Sequence, residues 1–233
     1  MTSPLIVALD FPDLESCKKL IQELKGLDLI YKIGSELFTA HGWQAVDLVH
    51  AAHAKVFLDL KLHDIPTTVA KTSQVIAKKG VFMFNVHASG GLAMMKEARK
   101  AVDETCVSRE KPFLIAVTLL TSLDGPTLSN ELGIVRPVKD QVLALARLAK
   151  QAKLDGVVCS PEETAMLRKE MGKDFLLITP GIRPAGTQRN DQVRTLGPRE
   201  AMAAGTNYLV VGRPITASST PRQAASDILQ SLS

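Results

Sequence analysis

Aromatic side chains are scarce in this chain: one Trp, two Tyr and seven Phe make up 4% of its 233 residues. Proteins that hold single strands of nucleic acid stack bases on aromatic faces along a basic groove. Here the 28 Lys and Arg are dispersed, so a formal charge of +4 and a pI near 9.0 do not point to a nucleic-acid partner. The same mild charge suits attraction of a small phosphorylated anion, or simply solubility. Cysteine is scarcer still. Cys17, Cys106 and Cys159 are odd in number and widely spaced, which excludes a C-x-x-C redox or metal pair and fits reduced thiols. No apolar run approaches the ~18 residues of a membrane span. The short apolar stretch at 1–9 leads into Asp10 with neither a basic leader nor a small-residue cleavage site. The expectation is a cytoplasmic protein with no membrane partner.

What is present is a regular alternation. Apolar runs recur as LIVALD (5–10), LIYKIGS (29–35), KVFLDLKL (55–62), MFNVHAS (83–89), FLIAVTLL (113–120), GVVCS (156–160), FLLITPG (175–181) and YLVVGR (208–213). They read as eight strands. Between them, amphipathic stretches at 14–25, 66–79, 91–107, 138–153 and 162–171 are long enough to be crossover helices joining parallel strands. That cadence predicts an α/β fold, a (β/α)8 TIM barrel forming a single domain over 1–233. An open doubly wound sheet fits less well, because no G-x-G-x-x-G follows the first strand. The longest irregular stretches, 121–137 and 182–197, follow strands and are candidate active-site loops.

Barrel enzymes carry their chemistry at the C-terminal ends of the strands, so charged residues ending apolar runs stand out. Asp10 closes the first run and Lys32 lies late in the second. Asp59 and Lys61 stand at i and i+2 in the third, on the one face expected to point into the barrel. Asp64 follows beyond the strand end, so three alternating charges are expected to converge, with Lys32 as a fourth. A buried ion-pair cluster that merely holds the barrel together is the plain alternative, but desolvation consumes much of what such pairs gain. Concentrations of mutually perturbing ionisable groups are more typical of functional sites.

The run DLKLHDIPTT (59–68), with LDF after the first strand, YKIG on the second, LTS after the fifth, PGIR after the seventh and VVGRPI on the eighth, resembles the orotidine 5'-phosphate decarboxylase family. The resemblance spans essentially the whole chain. Related sugar-phosphate decarboxylases share the D-x-K-x-x-D core, whereas I-P-x-T and the remaining blocks in order are more specific. The resemblance implies decarboxylation of orotidine 5'-monophosphate to UMP and CO2, the last step of UMP synthesis, by a homodimer that uses no metal or cofactor. The residues suit that chemistry. Loss of CO2 from C6 leaves a carbanion in the ring plane, where the π-system cannot spread it, so a preorganised cation has to stabilise it. A lysine between two aspartates is favoured as the ammonium. That also disfavours a Schiff-base aldolase, which needs a free amine.

By resemblance, Lys61 stabilises and protonates C6 while Asp59 lies near the substrate carboxylate. Asp10 and Lys32 bind ribose hydroxyls, Lys32 also orienting the aspartates, and Thr121 and Ser122 read the pyrimidine edge. Asp64, Ile65 and Thr68 reach the site of the neighbouring subunit. Gly212 and Arg213, ending the eighth strand, form a phosphate site, and Gln192 and Arg183 belong to a loop that closes over phosphate and pyrimidine. The residues alone leave Asp10 equally open to capping the helix near Leu14, and Thr121 and Ser122 equally open to being turn residues. Arg189, Arg194 and Arg199 read as a solvated face. His87 reads as packing or a structural hydrogen bond, and His63 as pointing away from Lys61. His41, His50 and His53 read as surface or partly packed residues on a helix, and Trp43 and the methionines as core. Two rival functions are a metal-dependent sugar-phosphate decarboxylase or aldolase, with Glu36 as a spare acidic ligand, and a non-catalytic phosphometabolite-binding protein.

Overall fold

The computed structural model describes residues 3–183 and 196–232. Eight short strands carry the apolar runs: β1 (Leu5–Ala8), β2 (Ile30–Gly34), β3 (Lys55–Leu62), β4 (Met83–His87), β5 (Phe113–Val117), β6 (Gly156–Val158), β7 (Leu176–Thr179) and β8 (Tyr208–Val211). They pair in parallel in chain order, and β8 pairs back onto β1. This is the closed (β/α)8 barrel that the alternation predicted. Seven of the eight strands end one to three residues earlier than the apolar runs do, and β3 ends with its run at Leu62. Leu9 still donates its N–H to the Lys32 carbonyl at 2.9 Å, but Asp10 lies beyond the ladder and belongs to the loop.

The first half of the helical ring is α1 (Leu14–Glu23), α2 (Ser35–His41), α3 (Trp43–Ala51), α4 (Pro66–Lys78) and α5 (Gly91–Thr105). The second half is α6 (Val138–Gln151), α7 (Pro161–Met171), α8 (Pro198–Ala203), α9 (Arg213–Thr216) and α10 (Pro221–Ser231). Local chemistry sets several starts. Asp13 caps α1 by accepting the Ser16 N–H at 2.8 Å, so the cap falls to Asp13 and not to Asp10. Ser160 and Glu163 form a reciprocal capping box on α7. Pro66 opens α4, where its missing N–H costs nothing, and this limits the β3–α4 connection to residues 63–65. The stretch 121–137 is not wholly irregular: it contains a π-helical turn at Thr127–Glu131.

Strand alternation divides the interior into two cores. Ile6, Ile30, Phe57, Met83, Ile115 and Ile178 fill the barrel. Their neighbours Val7, Tyr31, Leu58 and Phe84 face the helices. Phe57 and Phe84 are fully buried on opposite sides of the sheet, and truncating either to Ala should cost about 3–5 kcal/mol. The inward series places Lys32 two residues beyond Ile30, Asp59 two beyond Phe57, and Asn85 two beyond Met83. Charge therefore begins where the packed interior ends. Trp43 sits at the margin of the core, edge-on to Phe38 with the Lys79 ammonium over its ring. His53 lies past the end of α3 at φ +55, not on the helix.

All three cysteines are buried and free. Burial pushes the Cys17 thiol up to about 11 and the Cys159 thiol up to about 12, so neither supplies thiolate near neutrality. A thiol-reactive chromophore should therefore label almost none of the three in native protein and all three in denaturant; fast native labelling would contradict this packing.

Candidate active site

Four charged side chains from the C-terminal ends of β1, β2 and β3 form one alternating chain. Asp10 Oδ1 lies 3.0 Å from Lys32 Nζ. Lys32 Nζ lies 3.5 Å from Asp59 Oδ2, and Asp59 Oδ1 lies 2.8 Å from Lys61 Nζ. Asp59 is only 8% exposed, whereas the Asp10 side chain is 58% exposed. The chain thus runs from solvent into the barrel mouth. Burial pushes the Lys32 ammonium down, but the Asp59 and Asp10 carboxylates overcome this and hold it above its ordinary value. Gly34 makes room for the pair: a Cβ there would stand 3.2 Å from Lys32 Nζ.

Lys61 reaches Asp59 from an unusual backbone. Its φ is +54, in the left-handed region that costs a non-glycine residue about 1–3 kcal/mol when fixed. The pairing of β3 with β4 slips here, with Leu58 opposite Phe84 but Leu62 opposite Val86, so four steps on β3 face two on β4. Bulges of this kind re-aim side chains beside active sites. The Lys61 N–H that the bulge takes out of the ladder is donated to Asn85 Oδ1 at 2.8 Å, and Asn85 Nδ2 donates to Asp59 Oδ1 at 2.7 Å.

Around the mouth, Thr121 and Ser122 line a cavity of about 270 Å³ with Leu123, Lys139 and Glu163. After β7, the Arg183 N–H pairs with the Leu196 carbonyl at 2.9 Å. Burial and the nearby Arg213 cation lower Arg183 from its ordinary value, and its Nε is buried with no hydrogen-bond partner among the described residues. Gly212 lies against the array, where a Cβ would stand 3.7 Å from Asp10 Oδ2.

The family model described as orotidine 5'-phosphate decarboxylase / HUMPS matches residues 3–228. This chain belongs to that family. A curated relative named orotidine 5'-phosphate decarboxylase from Moorella thermoacetica is 49% identical over 223 residues, covering 95% of this chain and 88% of the relative. One of the same name from Alcanivorax borkumensis is 47% identical over 232 residues, covering 100% of this chain and 99% of the relative. A solved structure of orotidine 5'-phosphate decarboxylase from Lactobacillus acidophilus is similar at a TM-score of 0.88 and 39% identity, covering 99% of each chain.

Not every residue picked out by the family's motifs comes together within one chain. Asp64 makes no ion pair with Lys61 or Lys32 among the described residues. It is exposed and accepts the Ile65 N–H at 2.6 Å. Ile65 and Thr68 are likewise exposed. Gln192 lies outside the described residues, as do Arg189 and Arg194. Asn85 was passed over in the sequence, although an amide inside the apolar run MFNVH, in step with the inward Met83, was a readable signal. His41 Nε2 lies 3.0 Å from the Pro12 carbonyl. His63 and His87 stack near each other, with ring centroids 5.5 Å apart.

Burial, then the neighbouring His63 and Lys61, push His87 below its ordinary value of 6.5. The unfolded chain therefore takes up this proton before the folded one does, and acid favours unfolding. Stability present above pH 6.5 should be lost as pH falls below that value toward the folded-state pKa. Thermal melts across this window should show Tm falling with acid, and His87→Gln should flatten that limb; an unchanged limb would assign it to other groups.

Proposed function

We propose that this chain decarboxylates orotidine 5'-monophosphate to UMP and CO2 without a metal or cofactor. The observation that carries the reading is the Asp10–Lys32–Asp59–Lys61 chain of opposite charges at the barrel mouth. With substrate bound, the C6–carboxylate bond breaks, CO2 leaves, and the electron pair stays on C6. The Lys61 ammonium, positioned beforehand by Asp59, stabilises this charge and transfers a proton to C6. UMP results, and the neutral lysine recovers its proton from solvent. Asp59 stands beside the leaving carboxylate and keeps Lys61 aimed, while Lys32 neutralises Asp59 from the other side.

Asp10 and Lys32 bind the ribose hydroxyls, and Thr121 and Ser122 read the pyrimidine edge. Arg183, Gln192, Gly212 and Arg213 hold the phosphate, whose binding energy, spent far from C6, helps lower the barrier there. The chain acts as a homodimer in which Asp64, Ile65 and Thr68 complete the partner's site. The 66% exposed Ile65, beside a carboxylate with no ion pair among the described residues, supports that assignment. The metal-dependent alternative wants several acidic oxygen ligands. Among the described residues no three His, Cys, Asp or Glu side chains gather into such a set.

Purified protein should consume orotidine 5'-monophosphate, followed by absorbance, with UMP as product and no loss of rate in chelator. Lys61→Ala should lower kcat about a thousandfold or more while still binding UMP. Absence of turnover, or turnover restored only by a divalent metal, would transfer the chain to the sugar-phosphate side of its family. For the shared site, Lys61→Ala and Asp64→Ala homodimers should each be nearly inactive, yet mixing them after subunit exchange should restore about a quarter of the sites, because half the dimers then carry one intact site. No recovery on mixing would place Asp64 outside the partner's site.

A further inference from the structure

We propose that Asn85 is a positioning residue for the reaction: its amide locks the bulged Lys61 backbone and the Asp59 carboxylate into a single arrangement. The inference rests on the reading of Lys61 above and adds to it the device that aims the lysine. Three independent observations meet at this side chain. Lys61 is one of only three non-glycine residues at positive φ among the described residues, and unlike His53 and Lys153 it stands inside a strand, not after a helix. The β3–β4 register slips between Leu58 and Leu62, which leaves Asp59, Leu60 and Lys61 without register partners on β4. Asn85, 1% exposed and standing on β4 directly across that gap, is the group that replaces them.

The amide suits this task in a way few side chains do. Its carbonyl oxygen accepts the Lys61 N–H at 2.8 Å, and its NH2 donates to Asp59 Oδ1 at 2.7 Å. One rigid group therefore fixes both the backbone from which Lys61 departs and the carboxylate oxygen that its ammonium meets at 2.8 Å. Lys32 holds the other oxygen, Oδ2, so the Asp59 carboxylate cannot rotate without breaking a contact on each side. The Asn85 side chain bonds the Lys61 N–H and the Asp59 carboxylate, not Lys61 Nζ. Its effect passes entirely through Asp59 and the Lys61 backbone. A buried, uncharged donor to a carboxylate also avoids placing a third cation in the array, which would compete with Lys61 for Asp59.

The geometry sets distinct outcomes for two variants. Asn85→Ala removes both contacts and frees the bulge. Asn85→Asp keeps the acceptor for the Lys61 N–H but turns the donor into a carboxyl facing Asp59, and two adjoining carboxylates do not both ionise. The variant has the donor only while that new carboxyl is protonated. Asn207→Ala serves as a structural comparator, because Asn207 makes a similar side-chain contact to the Leu177 N–H at 2.9 Å, on β7 and away from the array.

The experiment measures kcat and KM for orotidine 5'-monophosphate, UMP binding, and Tm, for wild type and these variants together with Lys61→Ala. Misplacing a reacting group by about 1 Å costs on the order of a hundredfold in rate, so kcat of Asn85→Ala should fall about tenfold to a hundredfold while KM and UMP affinity stay within about threefold. For Asn85→Asp the ratio of kcat to that of wild type should fall as pH rises from about 5 to about 8, a limb that wild type lacks. Asn207→Ala should lose Tm with kcat unchanged. Should Asn85→Ala not fold, the near-isosteric Asn85→Asp profile decides alone. Folded Asn85 variants with kcat within about threefold of wild type and no new pH limb, or an equal loss of kcat in Asn207→Ala, would overturn the proposal. Wild-type turnover abolished by Lys61→Ala preserves the reading of the site whatever Asn85 does; no wild-type turnover removes that reading and this inference with it.

Discussion

The carboxylate of Asp59 is the point on which the site depends. It sits 8% exposed at the mouth of the barrel, where an unpaired negative charge would be strongly disfavoured. Three donors from three strands remove that penalty: Lys32 on β2, Lys61 further along β3, and Asn85 on β4. Each is in turn constrained by the carboxylate it serves. Lys32 would be pushed toward neutrality by its burial if Asp59 and Asp10 were not beside it. A cluster of this kind contributes little net stability, since desolvation offsets most of the attraction. What it contributes is orientation, and orientation is what a proposed cofactor-free decarboxylation would need.

The barrel below supplies the rigidity. Ile30, Phe57 and Met83 fill the interior one inward step beneath Lys32, Asp59 and Asn85. Close packing of those side chains fixes the height and direction of the polar layer above them. The strain at Lys61 is confined to one residue in a bulge, with well-packed strand before it and the start of α4 soon after. That local cost of about 1–3 kcal/mol is small beside the burial of a core of this size.

Membership of the orotidine 5'-phosphate decarboxylase / HUMPS family rests on similarity across the whole barrel, not on one motif. For the proposed activity, the surroundings of the array matter. Here Lys32, a cation, stands between Asp10 and Asp59 where a metal site would call for further oxygen ligands.

Much was legible in the chain itself. Alternating apolar runs and amphipathic stretches specify eight strand-helix units, because a period of two and a period of 3.6 bury different faces. The same alternation put Asp59 and Lys61 on one inward face, and strand order brought Asp10 and Lys32 beside them. Other features depended on three dimensions. Asp64 is two residues from Leu62 yet makes no ion pair with Lys61 among the described residues, because its carboxylate accepts the Ile65 N–H in the short connection that Pro66 ends. The left-handed turn at Lys61 was invisible, since nothing in KVFLDLKL marks a bulge and lysine has no preference for that conformation. Asn85 is 24 residues from Lys61 in sequence. Periodicity reports which face a residue takes, whereas the hydrogen bond between these two exists only once β3 and β4 pair out of step; the sequence by itself determined the barrel and its charged rim, and the tertiary structure decided how the lysine is aimed.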